Sequence, residues 1–328
     1  MVAGVGSRVA GISWLVAGGF AAWAAARAAG ADRVRRTETV MVPLMAFTPH
    51  AAAAAPLAAL GLRLAGRRGP AMTAVVASAA LGLTVRSRSI PRRQPEADGP
   101  TLRVLTINLL VGRADAEALL DRVRQARPDV LFLQELTADA ETRLKKAGLE
   151  DLLPHAQVEH RDGGPRGSGI YSRFPLSQGP ALASTFAAQP TALLELPSGE
   201  TVELICVHPR APALRRGGSA PWREELALLP PPGKRPRVVA GDFNATIDHA
   251  AFRAVLGLGY ADAAVQTGNA LTRTWGPPDK GLWLTLDHVL VTRGCAVLSY
   301  AVHDVHGSDH RAVYAEIAIP TGAGDDAA

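Results

Sequence analysis

Residues 237–244 read RVVAGDFN. An apolar, β-rich run is stopped by a glycine and then by an acid and an amide. A buried strand ending in Asp242 and Asn244 delivers polar groups to a loop mounted on a rigid base. The arrangement recurs along the chain. LRVLTIN ends in Asn108, VLFLQE in Glu135 and VELICVH in His208. LTLDHVLV carries Asp287 near its start, and GSDHRAV sets Asp309 and His310 just ahead of another apolar run.

The apolar runs predict strands over 102–109, 129–133, 167–173, 192–196, 201–207, 237–240, 286–291 and 312–319, with Pro197-Ser198-Gly199 as a hairpin turn. Leu119, Leu120, Val123 and Ala126 share one helical face, which predicts a helix over 114–126. Pro221 opens a short helix through Leu229, and 230–236 is a turn-rich loop. Strands interspersed with helices imply an α/β domain with a mixed sheet or sheets.

Taken singly, the polar residues have plain explanations. Asn108 suits a turn, Asp242 a helix cap, Asp287 a hairpin, and His208 a hydrogen-bonded surface site. As a set they are more pointed. Acids, amides and histidines together are what a hard, oxygen-ligated cation and a phosphoryl group require.

The first hundred residues have a different chemistry. They hold 12 Arg and 4 acids, a net of +8, whereas residues 101–328 hold 23 basic and 26 acidic residues, a net of −3. The overall +5 therefore belongs to the N-terminal third, and a basic fold built to grip long nucleic acid is disfavoured. Two cysteines, Cys206 and Cys295, exclude a disulfide scaffold. Three stretches free of Asp, Glu, Lys and Arg, at 9–26, 39–62 and 69–85, match the roughly 17–25 residues a membrane helix needs. Pro43, Pro49 and Pro56 with His50 predict a kink in the second. A cleaved signal peptide and an Ala-rich linker is the competing reading. With three spans and a cytoplasmic N-terminus, four arginines lie inside and eight outside, so the positive-inside rule favours a cytoplasmic C-terminal part. Residues 87–100, SRSIPRRQPEADGP, are a Pro/Arg-rich linker, and 321–328 a disordered tail.

The order TINLL, FLQE, GSGIYSRFPL, VHPRAP, AGDFNAT, TLDHVLV and GSDHRAV resembles the endonuclease/exonuclease/phosphatase (DNase I-like) family over about 101–320. The resemblance implies a four-layer α-β-β-α sandwich of two mixed sheets, here preceded by three N-terminal transmembrane helices. It implies a divalent metal, Mg²⁺ or else Mn²⁺, held by Glu135 with Asn108 beside it and Asp309 assisting. Asp242 then orients or deprotonates the attacking water, Asn244 and His208 donate to the phosphoryl group, and His310 contacts the phosphate with Asp287 fixing its tautomer. Arg166, Arg173 and Arg210 are candidates for substrate phosphate, with solvated charge as the alternative. Ser168 and Ser172 lack the surroundings of an activated nucleophile and read as structural.

The layout of three spans, linker and compact hydrolase also resembles the VanJ group of actinobacterial glycopeptide-resistance membrane proteins. That implies a phosphatase of an undecaprenyl-type lipid pyrophosphate, with its active site outside the cytoplasm, against the arginine count. The partners expected are the bilayer and an amphiphilic phosphate ester; nucleic acid is disfavoured, and no protein partner can be inferred. A membrane-anchored DNA nuclease is the alternative, and a non-enzymatic binding module is poorer still, since every catalytic position is filled.

Overall fold

Four helices lead the chain: α1 (Val2–Ala29), α2 (Glu38–Ala46), α3 (Thr48–Leu64) and α4 (Arg68–Arg86). There follow β1 (Thr101–Asn108), α5 (Ala116–Ala126), β2 (Val130–Gln134), α6 (Ala138–Lys146), α7 (Leu149–Leu152), β3 (His155–Glu159), β4 (Ser168–Ser172), β5 (Leu176–Gln178), β6 (Thr191–Glu195) and β7 (Thr201–Val207). The remainder is α8 (Ala220–Ala227), β8 (Arg237–Asp242), α9 (Ala250–Gly257), β9 (Tyr260–Asp262), α10 (Ala263–Gln266), β10 (Asp287–Thr292), β11 (Ala296–His303) and β12 (Ala312–Ala318). This computed structural model describes residues 2–161, 164, 166–183, 185–213, 215, 217–276 and 283–321; of the tail expected at 321–328, all but Thr321 lies outside them.

The strands form two six-stranded sheets, β11-β12-β1-β2-β4-β3 and β5-β6-β7-β8-β10-β9. Each is mixed, with one parallel pair, β1 with β2 and β7 with β8, among antiparallel neighbours. Alternate residues explain the layering. On β1, Leu102 and Val104 face the partner sheet and join Val202 and Leu204 of β7, whereas Leu105 and Ile107 pack outward with Leu119 and Val123 of α5. On the other sheet Ile205 and Val239 face Trp222 of α8 and Phe252 of α9. Helix α5 starts two residues later than expected because the Asp115 carboxylate accepts from the Ala118 N–H and caps it.

The second apolar stretch departs from expectation. It is not one kinked helix but two, α2 and α3, meeting at 78° around Phe47. Pro49, in the first turn of α3, has no N–H with which to continue the α2 ladder. Among the described residues, two helices (Ala10–Ala29 and Arg68–Arg86) are long and apolar enough to cross a membrane, and three only if the bent pair counts as one.

Polar contacts bind these helices to the two-sheet unit. Asp248, buried, accepts from both terminal nitrogens of Arg88, at 2.7 and 2.5 Å, and from Arg27. Asp32 accepts from the Ala250 N–H at 2.7 Å, and Glu38 pairs with Arg223 at 2.7 Å. Nδ1 of His249 accepts from the Thr246 N–H, so Nε2 carries the proton and donates to the Val42 carbonyl at 2.9 Å. Burial lowers the His249 pKa and keeps the ring neutral, which suits that donor–acceptor role.

Burial alone would raise the Asp248 carboxyl, but Arg88 and then Arg27 outweigh it and hold it below the usual range. Asp248→Asn leaves the Arg88 guanidinium buried without its counter-charge, a loss on the order of 3–5 kcal/mol. The expected result is a lower Tm and faster trypsin cleavage within residues 87–100. Since the folded pKa lies under the unfolded value of about 3.9, this stabilisation is complete above about pH 4 and is lost as pH falls through the folded value. Lowering the pH through the folded value is therefore expected to lower the Tm of the unmutated chain toward that of Asp248→Asn.

Candidate active site

The sheet registers bring the polar strand ends to one edge of the sandwich. Asn108 of β1 lies beside Gln134 of β2 in the parallel pair, which puts Glu135 next to it. Val207 of β7 lies beside Gly241 of β8, so His208 and Asp242 emerge together. Asp287, the first residue of the antiparallel β10, sits directly across from Asp242. His310 precedes β12, which runs antiparallel to β1 and so returns to the Asn108 end.

Two local features aim these side chains. Gly241 has φ +150°, and a Cβ there would lie 2.0 Å from the Val207 carbonyl oxygen, so only glycine lets β8 approach β7 this closely before Asp242. Glu135 and Asn244 occupy left-handed backbone at φ 54° and 50°, a conformation costing roughly 1–3 kcal/mol for a non-glycine residue. Both turns redirect the chain immediately after a strand, at the lip of the cleft.

The amide of Asn108 donates to Glu135 Oε1 at 3.2 Å and to Asp242 Oδ2 at 3.1 Å. Asp242 Oδ1 accepts from the Asn244 N–H at 2.8 Å. Nε2 of His208 lies 3.8 Å from Glu135 and 3.9 Å from Asp242, and Nε2 of His310 lies 3.8 Å from Asp242. Nδ1 of His310 is 3.0 Å from both Asp287 oxygens. Trp275 donates its indole N–H to Asp309 Oδ2 at 3.1 Å, leaving Oδ1 of Asp309 4.0 Å from His310. Seven of the expected residues thus share contacts, and Asn244 joins them through its backbone; its side chain donates instead to the Pro209 carbonyl at 3.1 Å.

The charges are strongly coupled. Burial by itself disfavours an imidazolium at His310, but the carboxylates of Asp287 and Asp242, with Asp309 further off, push its pKa up to about 10. The ring is therefore protonated and donates to Asp287. Burial raises the Asp242 carboxyl, and Asp287 adds to this, while His310 and His208 pull the other way.

A divalent cation fits this donor set. Four carboxylates, of Glu135, Asp242, Asp287 and Asp309, face two imidazoles and an amide. Asp309 Oδ1 and His208 Nδ1 are buried without a hydrogen-bond partner among the described residues. Ligand-type atoms of Asp242, Asp287 and His310 lie within 4.8 Å of one another, the one such acid/histidine group among the described residues. In that group Nδ1 of His310 is already held by both Asp287 oxygens. Glu135, half-buried and with Asn108 at its side, is the better seat for a hard cation.

The cavity above these groups has a volume of about 710 Å³, within the range of about 300–1,000 Å³ typical of ligand sites. Arg166 and Arg210 both reach it, their guanidinium carbons 4.1 and 4.0 Å from the centre of the Phe186 ring that both of them stack on. Arg173 does not. It is exposed and lies 3.9 Å from Asp129, whose carboxylate binds Arg103, at the Val130 end of the β2–β4 pair and away from Glu135. Ser168 and Ser172 are buried within β4, and Ser172 accepts from the Phe174 N–H. Sequence reading missed Phe186, which sits in a loop without a motif. It also missed Val42, Pro43, Ala46 and Phe47, which form the apolar wall of the cavity from the α2–α3 bend.

The Endonuclease/Exonuclease/phosphatase family profile matches residues 105–310. No curated protein matches the chain. Among solved structures, the fold is similar to an endonuclease/exonuclease/phosphatase from Beutenbergia cavernae (TM-score 0.52, 18% identity, 67% of this chain and 72% of that one). It is similar to a humanized D. rerio TDP2 (TM-score 0.52, 20% identity, 66% and 98%) and to an endonuclease/exonuclease/phosphatase from Bacteroides vulgatus (TM-score 0.51, 17% identity, 67% and 99%).

Asp242→Asn and His310→Gln remove an acid/base group and a cationic donor, and each is expected to lower kcat on bis(p-nitrophenyl) phosphate about 10²–10⁴-fold. Glu135→Gln is expected to weaken Mn²⁺ binding, followed by calorimetry, more than Asp287→Asn does. Equal Mn²⁺ affinities in the two variants would instead move the cation to the Asp242–Asp287 side.

Proposed function

The chain belongs to the endonuclease/exonuclease/phosphatase family, and from that premise we propose that it removes phosphate from an amphiphilic lipid pyrophosphate while anchored in a membrane. Members of the family are hydrolases of phosphoester bonds that depend on a divalent metal, and this chain is a metal-dependent phosphoric ester hydrolase. One observation carries the substrate class. The catalytic cavity takes one wall from Val42, Pro43, Ala46 and Phe47, where the apolar helices α2 and α3 break. A headgroup beside the carboxylates would have its apolar part next to those helices.

Each residue then has a task. Glu135 and Asn108, with Asp309 nearby, would hold Mg²⁺ or Mn²⁺, which when bound polarises the phosphoryl oxygen and offsets charge on the leaving group. Asp242 positions the attacking water and takes its proton. His310, kept cationic by Asp287, and His208 donate to the phosphoryl oxygens as charge gathers there, while Asn244, its side chain held by the Pro209 carbonyl, fixes Asp242 through its backbone N–H. Arg166 and Arg210, spaced by Phe186, supply two further positive charges for a second phosphate, which a pyrophosphate has and a monoester lacks.

On this reading the catalytic unit lies outside the cytoplasm. The eight arginines opposing this include Arg27, Arg33 and Arg88, all bonded to Asp248 or the Ala250 carbonyl. Asp248 is one carboxylate and the Ala250 carbonyl carries no charge, so seven against four still opposes this placement, a weak vote for alanine-rich spans with arginines near both faces. By the resemblance to the VanJ group alone, the proposed substrate extends to undecaprenyl-type pyrophosphate in the cell-wall lipid cycle, and the proposed role to glycopeptide resistance.

The full chain in detergent with Mg²⁺, offered farnesyl pyrophosphate and supercoiled plasmid in separate reactions, tests this. Inorganic phosphate from the lipid and intact plasmid is the expected outcome. Nicked plasmid with no phosphate released would replace the phosphatase by a DNA phosphodiesterase. A phosphatase reporter fused after Ala328 is expected to be active only if that end lies outside the cytoplasm.

A further inference from the structure

A second cavity, of about 880 Å³, lies beside the catalytic one. One side is helical, from Pro49, His50 and Ala53 of α3 and Gly82 and Val85 of α4. Spaced three and four apart, the α3 residues form one face of that helix. The other side comes from the two-sheet unit, chiefly Ile247, Leu271 and Leu284. Ala46 and Leu284 line both cavities, so the two meet at a shared apolar threshold.

We infer that this second chamber receives the hydrocarbon chain of the substrate whose phosphates lie at the carboxylate cluster. The inference rests on the amphiphile reading above and extends it to a binding site for the chain. Three observations support it. The chamber is mainly apolar; of its charged and titratable groups, Arg88 bonds Asp248 and His288 bonds Asp262, Arg273 stacks on Trp283, and Arg86 lies at the helical side. Its helical wall belongs to α3 and α4, which further along expose Leu57, Leu60, Val75 and Val76. The wall is also made of small residues. Ala53 and Gly82 leave room between α3 and α4, and a Cβ added at Gly82 meets nothing within 4 Å. His50, the one ionisable residue in the second apolar stretch, sits on this wall with its ring 5.4 Å from that of Phe47.

Gly82→Leu fills the chamber without touching the catalytic residues. In the full chain in detergent with Mg²⁺, it is expected to lower kcat/KM for farnesyl pyrophosphate at least about tenfold and to leave isopentenyl pyrophosphate, with its five-carbon chain, within about twofold. A loss shared equally by both, or by neither, overturns the chamber. Photolabelling with a diazirine-tailed prenyl pyrophosphate needs no turnover and locates the chain directly. Adducts on residues 49–53, 82–86 or 270–273 support the site, and adducts confined to the outer faces around Leu57 and Val76 overturn it. Should the wild-type chain release no phosphate from either pyrophosphate, the proposed reaction fails, while the labelling pattern still decides where an apolar chain lies.

Discussion

Four carboxylates drawn to the rim of one sandwich set the terms for the rest of the structure. Glu135, Asp242, Asp287 and Asp309 repel one another in a partly dehydrated cleft, and such a group persists only where cationic partners and fixed hydrogen bonds hold it. His310 supplies a full positive charge and Asn108 bridges two of the four. The remaining imbalance is what a divalent ion corrects. The sheets exist, in this sense, to keep six strand ends at one edge. The parallel pairs β1–β2 and β7–β8 send their C-terminal ends there, and the antiparallel β10 and β12 begin there.

The interior strands were legible in the sequence and the edge strands were not. All eight predicted strands are sheet-interior: β1, β2, β4, β6, β7, β8, β10 and β12. The four missed, β3, β5, β9 and β11, are the outermost strands of the two sheets. An interior strand buried on both faces is a continuous apolar run, whereas an edge strand is short or carries polar residues that discourage further pairing. HAQVE of β3 and LSQ of β5 show no such run, and none of their residues is buried. The site followed the same logic. Residues that terminate an apolar strand announce themselves by contrast, and Asn108, Glu135, His208, Asp242, Asp287 and His310 all do. Phe186 and the α2–α3 bend contribute through tertiary placement, which no local pattern encodes.

The N-terminal helices are packed into the two-sheet unit. Val42 belongs to the same buried cluster as Trp222, Phe243 and Phe252, and His249 ties its carbonyl to the loop that follows Asn244. Asp248 gathers Arg27 from α1 and Arg88 from beyond α4, so residues about 60 positions apart converge on one carboxylate. Two of the arginines in the topology count, Arg27 and Arg88, are thus held by the two-sheet unit through one carboxylate.

Strand β12 lies between β1 and β11, and Ser308 just before it donates to the Asn108 carbonyl at 2.8 Å. Asn108 and His310 are therefore made about 200 codons apart yet must stand side by side. During synthesis the early helices and most of the sandwich can take shape while β1 still has one open flank, and long-range pairings of this kind form late and slowly. A ribosome-bound intermediate lacking the β12 segment has Glu135 and Asp242 but no imidazolium to balance them. Completion of the site thus waits on a pairing that closes across about 200 residues.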